Sequence, residues 1–155
     1  MSKNTRIAIA SLALTASTLV GIAAYEGYSD RAYTPIPGDV PTIGFGTTGG
    51  VKPGDTITPQ RALVRLLHDA GKFERAVKGC VTVPLYPHEF SSFVSLAYNI
   101  GGTAFCNSTL VKKVNAFDYA DACREILRWD RAQGRQVRGL TIRRQAEYRQ
   151  CIGEE

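Results

Sequence analysis

An uncharged stretch near the start of the chain is the feature that most limits what the chain can form. Lys3 and Arg6 precede residues 7–25, which carry no charged side chain. A basic flank before an apolar segment is typical of exported proteins. The stretch is close to the roughly 20 residues that span a bilayer, but alanine, glycine, serine and threonine make up most of it. Because such residues gain little on entering hydrocarbon, we expect the segment to insert into a membrane and to be held there weakly.

Three kinds of exported segment fit this pattern. Residues 7–25 could form a signal peptide removed near Ala23 or Ala24, a permanent anchor, or a temporary anchor that later leaves the membrane. The weak apolarity of the stretch disfavours the permanent anchor. A buried helix of a cytosolic protein is a further alternative, but it leaves the basic flank unexplained. We therefore predict an export segment at residues 1–25 and a folded domain at residues 26–155.

The cysteines agree with export into an oxidising compartment. All four lie beyond the apolar stretch: Cys80, Cys106, Cys123 and Cys151. They form no C-x-x-C pair, and only His68 and His88 are available as further ligands, so the sequence predicts no metal site. Two disulfides, formed in a compartment such as the periplasm, are predicted, with four buried free thiols as the alternative. Three pairings are open, and we favour Cys80 with Cys106 and Cys123 with Cys151, because each ties neighbouring helical segments.

Length and charge narrow the class of protein and of partner. A chain of 155 residues has room for one domain with a sizeable core. Its formal net charge of +5 favours an anionic partner, which could be nucleic acid, a membrane surface or a cell-wall polymer. Arginines between Arg124 and Arg149 raise the nucleic-acid alternative, but no recognisable binding motif accompanies them. Since an exported chain rarely meets nucleic acid, we expect no nucleic-acid partner.

Local signals divide the remainder into one extended region and several helices. Residues 33–55 contain four prolines and six glycines, which favour short strands and turns. Thr58 and Pro59 are typical of a helix start, and the apolar residues that follow have helical spacing. Further helices are predicted from Pro87 to the glycines at 101–102 and over residues 109–115, 118–129 and 140–151. The sequence thus predicts an α+β fold that is mostly helical, with its few strands near the front and an apolar helix before them.

A carboxyl group at the end of the apolar stretch is the first candidate for chemistry. Glu26 follows a long apolar run, and desolvation raises the pKa of a carboxyl group, which suits a general acid. Asp30, Asp39 and Thr42 offer a second carboxylate and a hydroxyl nearby. Glycoside hydrolysis uses two carboxyl groups in different surroundings. The alternative for Glu26 is a solvated carboxylate at a helix end.

A set of motifs resembles a known family. The segments Glu26-Gly27, Ala32-Tyr33 and Pro41-Thr42-Ile43-Gly44-Phe45-Gly46 are similar to the active-site signature of T4-type phage lysozymes, glycoside hydrolase family 24. The similarity continues, in the family's order, through residues 95–101, 108–110 and 139–144. It implies a lysozyme-like fold and an enzyme that cuts the glycan strands of peptidoglycan without a cofactor; we expect a monomer. In that family the glutamate is the catalytic acid and the threonine helps to place the attacking water, so these roles would fall to Glu26 and Thr42.

One departure from the family concerns the second carboxylate. Family members carry an aspartate or cysteine nine residues after the glutamate, where this chain has Pro35. Asp39 is the nearest carboxylate in the loop that could replace it, with Asp30 as a second candidate, and Asp39 could instead be only a turn residue. If no second carboxylate is needed, the enzyme would be a lytic transglycosylase that uses Glu26 alone. A membrane-tethered wall-binding protein without catalysis is the alternative from another class.

The resemblance also implies further site residues. The family places an arginine near its catalytic acid, which could be Arg143 or Arg144. Candidates for a sugar-binding cleft are Tyr33, Phe45, Asn99, Asn107 and Ser108. Tyr98 and Phe93 are predicted to lie in the core.

The position of Glu26 directly after the apolar stretch resembles the signal-anchor-release endolysins of phages that infect Gram-negative hosts. The resemblance implies a chain held first in the inner membrane and then released into the periplasm. Residues 1–25 would then be the signal-anchor segment. A tethered Glu26 would lie at the membrane surface, where its helix could not pack against the rest of the domain. We therefore expect the tethered form to be inactive.

Overall fold

The computed structural model describes residues 5–154. Lys3 of the basic flank and the last residue of the predicted domain lie outside this range. Within it the chain forms, in order, α1 (Ala16–Glu26), β1 (Ser29–Tyr33), β2 (Thr42–Gly44), α2 (Pro59–Cys80), α3 (Pro87–Ile100), α4 (Gly102–Cys106), α5 (Thr109–Asn115), α6 (Tyr119–Glu125), β3 (Arg131–Ala132), β4 (Arg135–Gln136) and α7 (Arg138–Cys151). The predicted α+β fold, mostly helical with a small hairpin near its front, is confirmed.

The N-terminal segment differs from the single apolar helix that was predicted. Ile7 pairs with Leu85 through two backbone hydrogen bonds of 2.9 and 3.0 Å, and a short 3-10 turn follows at Ile9–Ser11. The α-helix begins only after Thr15, whose hydroxyl accepts a hydrogen bond from the Thr18 backbone N–H. In the part of the chain that the structure describes, no helix is long and apolar enough to cross a membrane.

The helix starts follow capping signals that are visible in the sequence. The Thr58 hydroxyl accepts a hydrogen bond from the backbone of α2, and the Ser108 hydroxyl does the same for α5. The Glu89 carboxylate accepts a 2.8 Å bond from the Tyr86 backbone N–H at the start of α3. These helices begin where they were predicted, because their caps are local.

The hairpin β3–β4 and helix α4 were not predicted, and two helix boundaries differ from the prediction. The hairpin β3–β4 turns at Gln133 and Gly134, both with positive φ, but its two-residue strands are too short to give an alternating pattern. Helix α4 follows directly after the turn at Gly101. Helix α7 starts at Arg138, two residues before the predicted start, and the predicted helix 118–129 ends as an α-helix at Glu125.

Two apolar clusters hold the fold together, and α2 contributes to both. The larger cluster includes Leu12 and Val77 and lies among the helices of the second half of the chain. The smaller one joins Ile22 of α1 to Leu66 and Ala70 of α2. Burying these side chains stabilises the fold and fixes the end of α1 against α2. The N-terminal segment is therefore part of the folded domain in this structure.

The disulfides and the hairpin fix the remaining elements. Disulfides link Cys80 to Cys106 and Cys123 to Cys151, the pairing that was favoured from the sequence. In the antiparallel β1–β2 hairpin, Tyr33 is opposite Thr42. Gly44 at the end of β2 has a positive φ of 65°, and a Cβ there would lie 3.0 Å from the Cβ of Ala62. Glycine thus lets the hairpin approach α2 closely.

Candidate active site

Glu26 is the last residue of α1. The helix ends there because Gly27 adopts a φ of 70°, and the Gly27 N–H closes the last turn on the Ala23 carbonyl at 3.1 Å. The Glu26 side chain is 22% exposed, and its Oε1 accepts a 2.9 Å hydrogen bond from Arg143 Nη1. A carboxyl group is thus held at the junction of the helix and the hairpin, partly open to solvent.

A cavity of about 300 Å³ contains this carboxyl group. Four segments form its wall: the end of α1, the loop after β2, the middle of α2 and the end of α3. The lining residues are Glu26, Gly46, Thr48, Gly49, Asp69, Lys72, Phe73, Tyr98 and Asn99. The wall combines two carboxyl groups, an ammonium group, amide and hydroxyl groups and aromatic rings, which suits a polar ligand with apolar faces, such as a sugar.

Gly46 brings the loop after β2 against Glu26. Its φ is 87°, and a Cβ at this position would lie 3.3 Å from Glu26 Oε2. Both the backbone conformation and the close approach therefore favour glycine. This is a physical reason for the second glycine of the Gly44-Phe45-Gly46 motif.

Arg143 is fixed on several sides. It is 6% exposed, its Nε donates to Glu147 Oε1 at 3.1 Å, and its Nη2 donates to the Ser95 carbonyl at 3.3 Å. The guanidinium carbon lies 4.7 Å from the centre of the Tyr25 ring. The prediction named either Arg143 or Arg144 as the partner of Glu26, and the structure brings Arg143 to it.

Arg144 has a different partner. It is fully buried, and its Nε lies 2.8 Å from Glu147 Oε2. Burial lowers the pKa of the Arg144 guanidinium, and the charge of Glu147 opposes this. Burial likewise raises the pKa of the Glu147 carboxyl, against the attraction of Arg144 and the hydrogen bond from Ser95. Sequence reasoning did not identify Glu147.

The end of α3 contributes Tyr98 and Asn99 to the cavity. The Tyr98 hydroxyl donates a 3.3 Å hydrogen bond to the Phe45 carbonyl, and its pKa is raised by burial and then by the charge of Glu26. Tyr98 packs against the smaller apolar cluster, in line with its predicted place in the core, and its half-buried side chain also lines the cavity. Phe93, five residues earlier, is buried in the core as predicted.

The other residues predicted for a sugar cleft lie elsewhere. Phe45 packs against the smaller apolar cluster, with its ring 5.4 Å from that of Tyr28, and Tyr33 is exposed on β1. Ser108 is buried as the cap of α5, and Asn107 ends α4. Within residues 5–154, the lining of the cavity around Glu26 includes none of these four predicted residues.

The predicted second carboxylate and hydroxyl are also outside that lining. Asp39 is exposed, and its Oδ1 accepts a 2.9 Å hydrogen bond from the Val40 N–H, as a turn residue would. Thr42 is buried on β2, and its hydroxyl donates to the Val40 carbonyl at 3.4 Å. Asp30 is exposed on β1.

Sequence reasoning missed the part of the wall that α2 provides. Asp69 accepts a 2.8 Å hydrogen bond from the Thr47 hydroxyl and a 3.1 Å bond from Lys72 Nζ. The spacing of Asp69, Lys72 and Phe73 puts them on one helix face, beside the stripe formed by Leu66 and Ala70. That spacing predicts a shared helix face, but it does not show which loop packs against that face.

The family model for phage lysozyme matches residues 23–147. The chain belongs to the phage lysozyme family. It is 37% identical to the SAR-endolysin of Pseudomonas phage phiKMV over 144 aligned residues. The aligned residues make up 90% of this chain and 89% of that protein. The SAR-endolysin of Enterobacteria phage P21 is 34% identical over 147 residues, or 94% and 87% of the two chains. The structure of an endolysin from Escherichia coli O157:H7 phage FAHEc1 has a TM-score of 0.82 at 35% identity, covering 92% and 94%.

Membership of the phage lysozyme family confirms the resemblance seen in the sequence motifs and the prediction of a lysozyme-class enzyme. Within the described residues, no three His, Cys, Asp or Glu side chains are grouped so that they could hold a metal ion.

Proposed function

We propose that this phage lysozyme hydrolyses the β-1,4 bonds between N-acetylmuramic acid and N-acetylglucosamine in peptidoglycan, with Glu26 as general acid. One observation carries the proposal: a carboxyl group stands in an open cavity while one of its oxygens is held by a buried arginine. In glycoside hydrolysis such a group protonates the oxygen of the leaving sugar. The consequence of this bond cleavage in a phage infection is lysis of the host cell.

Other side chains receive supporting roles in this proposal. Tyr98 and Asn99 bind the sugar on the α3 side of the cavity, by ring contact and amide hydrogen bonds. Thr42 positions the attacking water, as the family resemblance implies. Arg143 orients the Glu26 carboxyl group.

The second carboxylate has two candidates. Asp39 lies in the loop where the resemblance implies such a group, although it is exposed and hydrogen-bonded within its own turn. Asp69 lines the cavity, although Thr47 and Lys72 occupy its oxygens. This occupancy favours an alternative function, a lytic transglycosylase, in which the sugar's own hydroxyl attacks and Glu26 is the only acid.

The first experiment compares wild type with Glu26→Gln on purified peptidoglycan, with the released sugars identified by mass. Loss of a general acid should lower the rate about 10²–10⁴-fold. Glu125→Gln is the matched control, because Glu125 pairs with Lys113 and Arg128 away from the cavity. An active Glu26→Gln variant, or binding of the wall without cleavage by the wild type, would contradict the enzymatic proposal.

The products and two further variants separate the alternatives. Reducing ends mean hydrolysis, and anhydro-sugars mean a transglycosylase. Asp39→Asn and Asp69→Asn then identify the second carboxylate by which of them loses hydrolysis. Wild-type rates in both variants would leave Glu26 as the only acid.

We propose further that residues 7–24 first lie in the inner membrane and then leave it for the periplasm. The support is the uncharged stretch after Arg6 and the name SAR-endolysin carried by two relatives. Leaving the membrane would let Leu12 and Ile22 take their places in the two apolar clusters. The two locations of the segment exclude each other, so Glu26 would be positioned only after release.

Fractionation of expressing cells before and after an uncoupler tests this release. The expected result is full-length protein in the membrane pellet before treatment and in the soluble fraction afterwards, with its N-terminal mass intact. Protein that stays in the pellet, or that is already shortened near residue 24, would contradict it.

A further inference from the structure

The proposed chemistry gives no role to the buried carboxyl group that lies beside Arg143. Glu147 on α7 is 2% exposed. Its Oε1 accepts a 2.6 Å hydrogen bond from the Ser95 hydroxyl and a 3.1 Å bond from Arg143 Nε. Its Oε2 lies 2.8 Å from Arg144 Nε. Burying a charged group is costly, so a carboxyl group kept in this position calls for an explanation beyond packing.

Glu147 and Glu26 share one arginine. Arg143 presents Nε to Glu147 and Nη1 to Glu26. The guanidinium is a rigid plane, so a partner that fixes Nε also fixes the direction in which Nη1 points. Ser95 acts from α3 on both members of the pair, because its hydroxyl donates to Glu147 and its carbonyl accepts from Arg143.

The charges of the arginines and carboxyl groups around Arg143 balance only when the Glu147 carboxylate is counted. Two arginines on α7, Arg143 and Arg144, face the two carboxyl groups, Glu26 and Glu147. Without the Glu147 charge, Arg143 would act on Glu26 as an uncompensated cation. A nearby cation favours the ionised form of a carboxyl group, which is the form that cannot donate a proton.

We propose that Glu147 is a positioning residue for the general acid: it aims the Arg143 guanidinium at Glu26 and balances the charge of that guanidinium. The inference rests on the proposed function of Glu26. Glu147 itself does not touch the cavity around Glu26, since the lining described above, within residues 5–154, does not include it.

Several other groups face Glu26 and must stay unchanged in a test. They come from every element packed around it: Arg143 and Arg144 from α7, Tyr98 from α3, Asp69 and Lys72 from α2, and Tyr25 from α1 itself. A substitution at Glu147 leaves all of these side chains in the chain. Any movement of the pH profile can then be assigned to the Glu147 charge.

The experiment compares the pH dependence of peptidoglycan cleavage by wild type, Glu147→Gln and Glu89→Gln. Glu89 is the matched control, because it is also buried and also paired with an arginine, Arg6, outside the cavity around Glu26. In Glu147→Gln, the high-pH limb of the profile should move to lower pH by about 1 unit. In Glu89→Gln, the limb should stay at the wild-type position even if the protein is less stable. A folded Glu147→Gln variant with the wild-type limb would overturn the inference.

Two further variants complete the test. Ser95→Ala removes one hydrogen bond from Glu147 without changing charge, so kcat should fall several-fold with KM and the high-pH limb unchanged. If Glu147→Gln does not fold, a wild-type kcat in Ser95→Ala overturns the inference. Glu26→Gln distinguishes the two proposals: an active Glu26→Gln variant refutes the proposed function, whereas an inactive one with an unmoved Glu147→Gln profile refutes only the role of Glu147.

Discussion

Two arginine–glutamate pairs tie the N-terminal segment to the helices, one near each end of the segment. Near its start, Arg6 donates to Glu89 of α3 with a shortest distance of 2.7 Å. At its end, Glu26 accepts from Arg143 of α7 at 2.9 Å. In both pairs the member on the segment is partly exposed, at 31% and 22%, and the member on the later helix is buried, at 3% and 6%.

The two pairs differ in how many oxygens of the carboxylate accept hydrogen bonds. Arg6 donates to both oxygens of Glu89, and its guanidinium lies between two rings, 4.3 Å from that of Tyr86 and 3.6 Å from that of Tyr119. Glu26 uses Oε1 for Arg143, and within residues 5–154 no hydrogen bond reaches Oε2, which faces Gly46. Both oxygens of Glu89 are thus bound within the protein, whereas one oxygen of Glu26 is left open to a ligand. If Glu26 is the general acid, as proposed, similar chemistry serves structure at one end of the segment and reactivity at the other.

The largest expected effect comes from breaking the pair of Arg143 and Glu26. Arg143→Met removes the group that holds Glu26 and leaves Glu147 with one arginine. We expect the rate of peptidoglycan cleavage to fall about 10²-fold, because misplacement by about 1 Å has a cost of this size. Steady-state rates on folded protein measure this effect. A rate within a factor of two or three of wild type would mean that Arg143 does not position the acid.

The matched substitution in the Arg6–Glu89 pair should lower the stability of the protein and leave the rate of peptidoglycan cleavage unchanged. Arg6→Met leaves the Glu89 carboxylate buried without its cation, which should lower the free energy of unfolding by about 2 kcal/mol. Denaturant titration measures the loss. The rate of the folded variant should equal that of wild type, and a large loss of rate would show that the two ends of the segment are coupled.

A smaller effect on stability is expected from a hydrogen bond that lies between the two arginine–glutamate pairs. Thr18 on α1 donates a 2.9 Å hydrogen bond to Ser91 on α3, and both side chains are buried. Thr18→Val keeps the shape and leaves the Ser91 hydroxyl without this donor, which should lower the free energy of unfolding by about 1 kcal/mol. Chemical denaturation of Thr18→Val and Thr18→Ser checks it, because only serine keeps the hydroxyl. A Thr18→Val variant as stable as wild type would contradict the assignment to this hydrogen bond.

The smallest effect concerns pH. The hydrogen bond that Arg6 donates to Glu89 raises the pKa of Arg6 above its ordinary value. This contribution to stability is therefore present below that ordinary value and is lost only as the pH rises through the folded-state pKa. Arginine stays protonated over the whole range from about pH 7 to about pH 10. The stability difference between wild type and Arg6→Met should therefore be the same at pH 7 and pH 10. A difference that shrinks over this range would contradict the assignment to the Arg6 charge.

Local signals carried much of the sequence prediction. The Thr58-Pro59 start of α2 and the Glu26-Gly27 end of α1 depend on neighbours in the chain, and both were readable. The pairing of Arg6 with Glu89 spans 83 positions and that of Arg143 with Glu26 spans 117. The first was not predicted, and the second was expected only through the family resemblance, since periodicity does not report which helices meet.

The errors have the same physical origin. The uncharged stretch indicated one long helix, because composition does not show that Ile7 would instead pair with Leu85. Tyr98 has the spacing of a core residue and packs against the smaller cluster, but its part in the cavity wall was missed, because the spacing does not show that α3 ends at the cavity. Asp69 and Glu147 became visible as parts of the site only when the helices that carry them were placed together.

The burial of Leu12 and Ile22 has a consequence for the proposed passage through the membrane. Each of these side chains can leave water in only one way at a time, either among lipid tails or inside the domain. Bilayer and protein interior would then act as two solvents between which one segment partitions. If the segment enters the membrane as proposed, every substitution that makes residues 7–24 more soluble in lipid should delay folding of the enzyme, because it favours the bilayer over the domain interior.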